Sequence, residues 1–176
     1  MNPSLRARLA TLRLVALDVD GVLTDGSVVH DGERELQRFH VHDGAGLRWL
    51  GEAGVTIAWI SGRGSAATER RARELGVSEL HLRAGPKDGV LREVQERLDI
   101  AREATLAMGD DWPDLAMADR AGVFACPADA RPEVRRRAAW ITRARGGHGA
   151  VRELAEGILE ARGLLADRLA RYERDR

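Results

Sequence analysis

The 176-residue chain suits a single domain, 1–176, and its 44% hydrophobic content is enough for a core. Its 28 acidic residues balance 28 basic ones, 27 Arg and one Lys, so no global basic field marks it for nucleic acid or an anionic membrane surface. The first residues, Met-Asn-Pro-Ser-Leu-Arg-Ala-Arg, carry no apolar leader, and no run approaches the ~20 apolar residues needed to cross a bilayer, so a soluble cytoplasmic protein is expected. Leu14 to Asp18 is a continuous apolar run that predicts a buried strand. Ser27 to Phe39 then reads as a hairpin, with Asp31-Gly32 in its turn. A helix is predicted from Gly46 to Ala53, capped by Gly54, and a second strand from Val55 to Ile60. Next come a helix from Ser65 to Leu75, capped by Gly76, a short strand from Glu79 to Leu82, and a helix from Lys87 to Leu98. Strands at Ala104–Met108 and Gly122–Ala125 flank a short helix, Asp114–Arg120. Cys126 follows in an apolar setting that predicts a small buried side chain, and a lone cysteine excludes an intrachain disulfide. Ala139–Thr142 is a candidate sixth strand, Gly149–Leu165 the longest helix, and the charged tail, about 166–176, is expected to fray.

Strand–helix alternation predicts an α/β fold: a Rossmann-like parallel sheet with helices on both faces, interrupted by the hairpin. Such sheets bind ligands at the carboxyl ends of their strands. Those ends deliver Asp18-Val19-Asp20-Gly21, then Ser61-Gly62-Arg63, then Lys87, then Gly109-Asp110-Asp111-Trp112-Pro113-Asp114. Five carboxylates crowded on one rim repel one another, and a divalent cation with hard oxygen ligands, Mg²⁺, would relieve this. Mg²⁺, the single Lys and a Ser hydroxyl together suit a phosphoryl group. Residues two apart at a strand end point the same way, so Asp18 and Asp20 can face one phosphorus, one as nucleophile and one as proton donor and acceptor.

These motifs resemble the haloacid dehalogenase-like phosphohydrolases. Asp18-Val-Asp-Gly-Val-Leu-Thr-Asp-Gly26, Phe39-His-Val-His-Asp-Gly44, Ile60-Ser-Gly-Arg63 and Thr142-Arg-Ala-Arg-Gly-Gly-His-Gly-Ala-Val-Arg-Glu153 look like the subfamily of 3-deoxy-D-manno-octulosonate 8-phosphate phosphatases, over about residues 10 to 165. The resemblance implies a fold without a separate cap domain, and a homotetramer in which neighbouring hairpins and C-terminal segments help close each site. It implies Asp18 as nucleophile through an aspartyl-phosphate, Asp20 as general acid and base, and Mg²⁺ on Asp18, the Asp20 carbonyl and Asp110. Asp111 and Asp114 would act behind those ligands or through water, and Ser61, Gly62 and Lys87 would hold the phosphoryl group. His42, Asp43, Gly44, Arg48, Arg63 and His148 would approach a phosphorylated sugar acid. The subfamily's usual Arg is His42 at one position and His148 at another, which leaves a related nonulosonate 9-phosphate or another sugar phosphate as the alternative substrate.

Other readings account for less. A receiver-like phosphoacceptor combines similar residues, but its Lys comes last in the chain, whereas Lys87 precedes Asp110 and Asp111. A non-catalytic oligomerisation module of the same fold would be expected to lack Asp18, Asp20 or Asp110, and all are present. Arg135-Arg136-Arg137 beside Glu133 reads as a solvated helix face, not a nucleic-acid site.

Overall fold

The continuous apolar runs become strands covered on both faces. The computed structural model describes residues 2–174. Helix α1 (Pro3–Ala10) precedes strand β1 (Leu14–Leu17), the hairpin strands β2 (Val29–Asp31) and β3 (Arg34–Leu36), and helix α2 (Val41–Glu52). Then follow β4 (Thr56–Ile60), α3 (Ala66–Leu75), β5 (Glu79–His81), α4 (Lys87–Leu98), β6 (Thr105–Met108) and α5 (Leu115–Ala118). The chain continues through β7 (Val123–Cys126), α6 (Pro132–Arg137), β8 (Trp140–Ile141), α7 (Ala150–Ala161) and α8 (Leu165–Arg174).

Six strands form a parallel sheet in the order β5-β4-β1-β6-β7-β8, and β2 and β3 pair separately as an antiparallel hairpin. The alternation of strand side chains divides the core in two. Val15, Leu17, Ile57, Trp59, Leu106, Met108, Val123 and Ala125 face the side covered by α1, α2 and α7. Leu14, Ala16, Ala58, Ile60, Ala107, Phe124 and Cys126 face Leu91 and Val94 of α4 and Val134 of α6. Cys126 is buried there, as its setting predicts, and burial pushes its thiol up to about 11. From β1 the chain winds outward through β4 to β5, then returns to build β6, β7 and β8 on the other side of β1. Winding therefore reverses at β1, which opens a crevice at its carboxyl end. Among the described residues, no helix is long and apolar enough to cross a membrane.

Three predicted boundaries move. The first helix after the hairpin begins at Val41, not Gly46, so Asp43 and Gly44 are helical. Gly44 and Gly46 weaken helix propensity on paper, but they serve packing. A Cβ on Gly46 would sit 2.9 Å from the Ala155 Cβ, so its absence lets α2 and α7 approach. The short helix at Asp114–Arg120 is one α-turn, α5, preceded by a tight turn at Trp112–Asp114. The long last helix breaks after Ala161, with Gly163 at φ 71°, into α7 and α8.

The tail is not frayed through residue 174. Arg168 of α8 pairs with Glu52, and the Trp49 Nε1–H donates to the Tyr172 hydroxyl at 3.3 Å. The Arg152 guanidinium lies 3.7 Å from the centre of the same Trp49 ring, a cation–π contact that joins α7 to α2. The last two tail residues, 175 and 176, lie outside the described residues. Helix α1 is not among the expected elements, and it buries Leu5 and Leu9, four residues apart. It is started by Asn2, whose side chain accepts from the Leu5 N–H, and by Pro3 in its first turn. Gly46→Val should lower stability by about 1–3 kcal/mol through overpacking between α2 and α7. Urea denaturation measures this, and an unchanged midpoint would show that the two helices can separate freely.

Candidate active site

The carboxyl end of β1 hands the chain to Asp18, whose N–H is held by the Met108 carbonyl at 3.0 Å. That bond sets the Asp18 carboxylate beside the loop leaving β6. Lys87, the first residue of α4, reaches into the same space. Its ammonium donates to Asp18 Oδ1 and to Asp114 Oδ1, both at 2.6 Å, and it is only 7% exposed. Asp114 is itself buried, and its Oδ2 accepts the N–H groups of Asp110 and Asp111 at 2.9 and 3.1 Å. Asp114 therefore folds the β6 loop around its own carboxylate and aims Asp110 at Asp18. Carboxylate oxygens of Asp18, Asp110 and Asp114 all lie within 4.8 Å of one another.

The electrostatics follow from this crowding. Burial, then the charge of Asp114, raises the Asp18 carboxyl to about 7, although Lys87 opposes the shift. Burial, then the charges of Asp18, Asp114 and Asp111, raises Asp110 to about 8. Burial disfavours the charge on Lys87, but Asp18 and Asp114 outweigh it and hold its pKa above the usual value. One ammonium against three carboxylates leaves negative charge uncompensated. The Oδ1 of Asp110 is buried and has no hydrogen-bond partner. An orphaned carboxylate oxygen beside two more oxygen ligands fits a hard divalent cation.

Asp20 lies on the same rim, half-buried, and two residues hold it, one after β3 and one after β4. The Gln37 Nε2–H donates to Asp20 Oδ1 at 2.9 Å, and Arg63 Nε lies 3.7 Å from Asp20 Oδ2. Gly21 follows at φ 90°, and a Cβ there would land on the Asp110 carboxylate, so this turn requires glycine. Ser61 is buried at the end of β4, where its Oγ accepts the Arg63 N–H at 3.1 Å and keeps its own O–H free to donate. Gly62 is exposed, with open space where a Cβ would stand. Asp111 is exposed and caps the Trp112–Asp114 turn.

The residues expected to approach a substrate divide. Arg63 is at the rim, where it bridges Asp20 to Glu35 of the hairpin at 2.8 Å. His42 is exposed in the first turn of α2, its ring edge-on to His40 at 5.0 Å. His148 is exposed in the loop before α7, where a ring nitrogen meets the Gly146 carbonyl at 2.8 Å.

Asp43, Gly44 and Arg48 make contacts within the fold. Asp43 is 1% exposed and does not face solvent, because its oxygens accept the Gly149 and Arg152 N–H groups and cap α7. Burial pushes its carboxyl above the usual range despite those bonds. Gly44 is buried against Arg71 and Leu75 of α3, where helix packing occupies its free side. Arg48 donates to the Glu74 carbonyl and borders a cleft beside Thr56, at the amino end of β4 and away from the carboxylates.

Two contributors escaped the sequence reading. Gln37 shows only as a polar residue two positions from Glu35 on one side of a hairpin strand. Gly146 lies so close to the Asp20–Asp25 loop that a Cβ would overlap the Gly21 carbonyl, and the Gly147 N–H donates to the Val22 carbonyl at 3.0 Å. The sequence signal for the latter is the Gly-Gly pair itself.

A family model of haloacid dehalogenase-like hydrolases matches residues 85–154. The 3-deoxy-D-manno-octulosonate 8-phosphate phosphatase of Escherichia coli is 36% identical over 167 residues, covering 94% of this chain and 88% of that protein. The chain belongs to this phosphatase family. Within the family, the enzyme from Moraxella catarrhalis, solved with magnesium ion, phosphate ion and KDO, superimposes with a TM-score of 0.95. It is 34% identical, and the match covers 98% of this chain and 99% of that one. The cobalt-bound family member from Haemophilus influenzae is also 34% identical, with a TM-score of 0.87 over 90% of this chain and 93% of that one.

The raised carboxyl values carry a testable sign. The folded state keeps protons on Asp18 and Asp110 that the unfolded chain has released, so their contribution to stability is complete below about pH 4 and lost as pH rises through about 7 and 8. In EDTA, the unfolding free energy should therefore fall from pH 5 to about 8, by up to about 1.4 kcal/mol per pH unit for each extra proton, and the melting temperature should fall with it. Asp110→Asn should flatten the decline, and added divalent cation should rescue most at the alkaline end. Calorimetric scans check this, and an Asp110→Asn variant with the wild-type slope would contradict it.

Proposed function

We propose that this chain hydrolyses 3-deoxy-D-manno-octulosonate 8-phosphate to the free sugar acid and phosphate, with Mg²⁺. The observation that carries the reading is the buried Asp18–Lys87–Asp114 cluster with the unpartnered Asp110 oxygen beside it. The names of its relatives supply the substrate. The Asp18 and Asp110 carboxylates and the Asp20 carbonyl would hold the cation, which when bound supplies positive charge to the phosphoryl oxygens.

The chain's own groups divide the rest of the work. A carboxylate oxygen of Asp18 attacks phosphorus, forming an aspartyl-phosphate as the bond to the sugar oxygen breaks. Asp20 gives its proton to that leaving oxygen, so the sugar departs as an alcohol. Asp20 then takes a proton from water, and the oxygen of that water attacks the same phosphorus. The acyl-phosphate bond breaks, and Asp18 and phosphate are released. Two of the three Lys87 N–H donors hold Asp18 and Asp114, which leaves the third for a phosphoryl oxygen. The Ser61 O–H and the Gly62 N–H supply further donors on the β4 side of that group. Asp111 and Asp114 shape the β6 loop that presents Asp110. His42, Arg63 and His148 form the rim against which the sugar is selected. A related nonulosonate 9-phosphate is the other substrate that a His-bearing rim would admit.

The fold that carries this chemistry is one domain with the hairpin inserted, and it works in the cytoplasm as a homotetramer. Val28, Val29 and Leu36 on the hairpin and Val41 beyond it are all exposed, Val41 by 74%. Apolar side chains so grouped support burial against neighbouring copies.

Phosphate release from a panel of phosphorylated sugar acids should favour the 8-phosphate, and Asp18→Asn should lower turnover by about 10⁴-fold or more. Equal rates across the panel would refute the assigned substrate, and an active Asp18→Asn would refute the covalent route. Native mass spectrometry should give four copies, and charged substitutions at Val29 and Leu36 together should lower that number. A monomeric wild type would refute the tetramer.

A further inference from the structure

The hairpin does more than stand beside the rim, because one of its side chains is wired to Asp20. Gln37 follows β3 and is half-buried. Its Nε2–H donates to Asp20 Oδ1 at 2.9 Å, and its Oε1 accepts two hydroxyls, Ser65 Oγ at 2.5 Å and Thr68 Oγ1 at 2.6 Å. Those hydroxyls are fixed in turn. Ser65 caps α3 by accepting the Thr68 N–H at 3.1 Å, and Thr68 is 2% exposed.

Both ends of the amide thus have partners of opposite kind, which decides its orientation. Rotating it by 180° would set Oε1 against the Asp20 carboxylate and leave that carboxylate without its donor. Two turns of sequence parity complete the arrangement. Glu35 and Gln37 lie two apart and face the same way, and Glu35 takes the Arg63 guanidinium at 2.8 Å while Arg63 also approaches Asp20. Leu36 points oppositely and is exposed. The hairpin therefore reaches Asp20 through two side chains, but only Gln37 makes a hydrogen bond to it. Each partner is distant in sequence: Asp20 by 17 residues, Ser65 by 28 and Thr68 by 31.

We infer that Gln37 is a positioning residue for the acid–base step: clamped by the Ser65 and Thr68 hydroxyls of α3, its amide N–H holds the Asp20 carboxyl in line with the leaving oxygen. The inference rests on the phosphatase reading above and adds a residue to it. Its consequence is specific to the leaving group. An alkyl phosphate, such as the sugar 8-phosphate, departs as a poor leaving group and needs a proton as its bond breaks. A p-nitrophenyl phosphate departs as a stable phenolate and needs little help. A loosened Asp20 should therefore penalise the alkyl ester far more than the aryl ester. A merely structural loss would lower both together, because the active fraction is common to both.

The test is kcat/KM for the sugar 8-phosphate and for p-nitrophenyl phosphate, with Mg²⁺, in wild type, Gln37→Leu and Gln37→Lys. kcat/KM reports the steps through aspartyl-phosphate formation, where the proton is given. Gln37→Leu removes the donor and should lower the alkyl-to-aryl ratio by about 10-fold or more, a part of the 10²–10⁴-fold that general acid catalysis supplies. Gln37→Lys returns a donor at that place and should recover most of the ratio. An unchanged ratio in Gln37→Leu, whether both values fall together or neither falls, overturns the role. So does a Gln37→Lys ratio as low as that of Gln37→Leu. A wild type inactive on both esters overturns the phosphatase reading instead, and this inference with it.

Discussion

One ammonium in a pocket of carboxylates is the interaction on which the site depends. Lys87 sits 2.6 Å from both Asp18 and Asp114, and all three are nearly excluded from water. Removing one partner of such a buried set typically costs about 3–5 kcal/mol, because the remaining charges lose their compensation without regaining solvent. Position matters as well as charge. A compact ammonium at the start of α4 can enter a space bounded by two carboxylates and still have a donor left, which a planar guanidinium would fill differently. The one Lys among 27 Arg stands at this point, and the neutral composition conceals a rim that is locally acidic.

Around that ammonium the chain is organised to keep carboxylates apart in role although close in space. Asp114 is spent on structure, with one oxygen on Lys87 and the other on two backbone N–H groups. Asp18 is pinned by Lys87 and by its backbone at β1. Asp110 alone has a buried oxygen with nothing to accept from, and it is the group most in need of a cation. Asp20 is held from the other side, by Arg63 and Gln37, away from the Lys87 cluster. Four carboxylates of one chemical type thus acquire four different environments.

The frame behind the rim is built for close approach. α2 and α7 meet where Gly46 leaves room for Ala155, and Asp43 of α2 caps the first turn of α7. That cap sets the loop before α7, and Gly146 then lies flush against the turn at Gly21. A chain of contacts so runs from helix packing to the loop that carries Asp20. Beside the same cap, Trp49 gathers Arg152 and Tyr172, and draws α8 back onto its own chain.

The sequence by itself determined the parallel α/β layout and which polar groups stand at the strand ends, because both are written in local patterns. Apolar runs bounded by polar turns give strands, and Asp18, Ser61, Lys87 and Asp110 each follow or begin an element with its own signal. Placement of the expected rim residues was legible only in part: His42, Arg63 and His148 lie on exposed loops or turns, whereas Asp43 and Gly44 are buried and Arg48 meets the Glu74 carbonyl. Helix α2 begins five residues before the expected start, at Val41 and not Gly46, and each helical residue turns the side chain by about 100°. Tertiary structure alone decided which carboxylate caps, which is orphaned and which is held by the hairpin. Those roles depend on partners between 17 and 109 residues away, and nothing in a residue's own neighbourhood encodes a hydrogen bond that long-range packing creates.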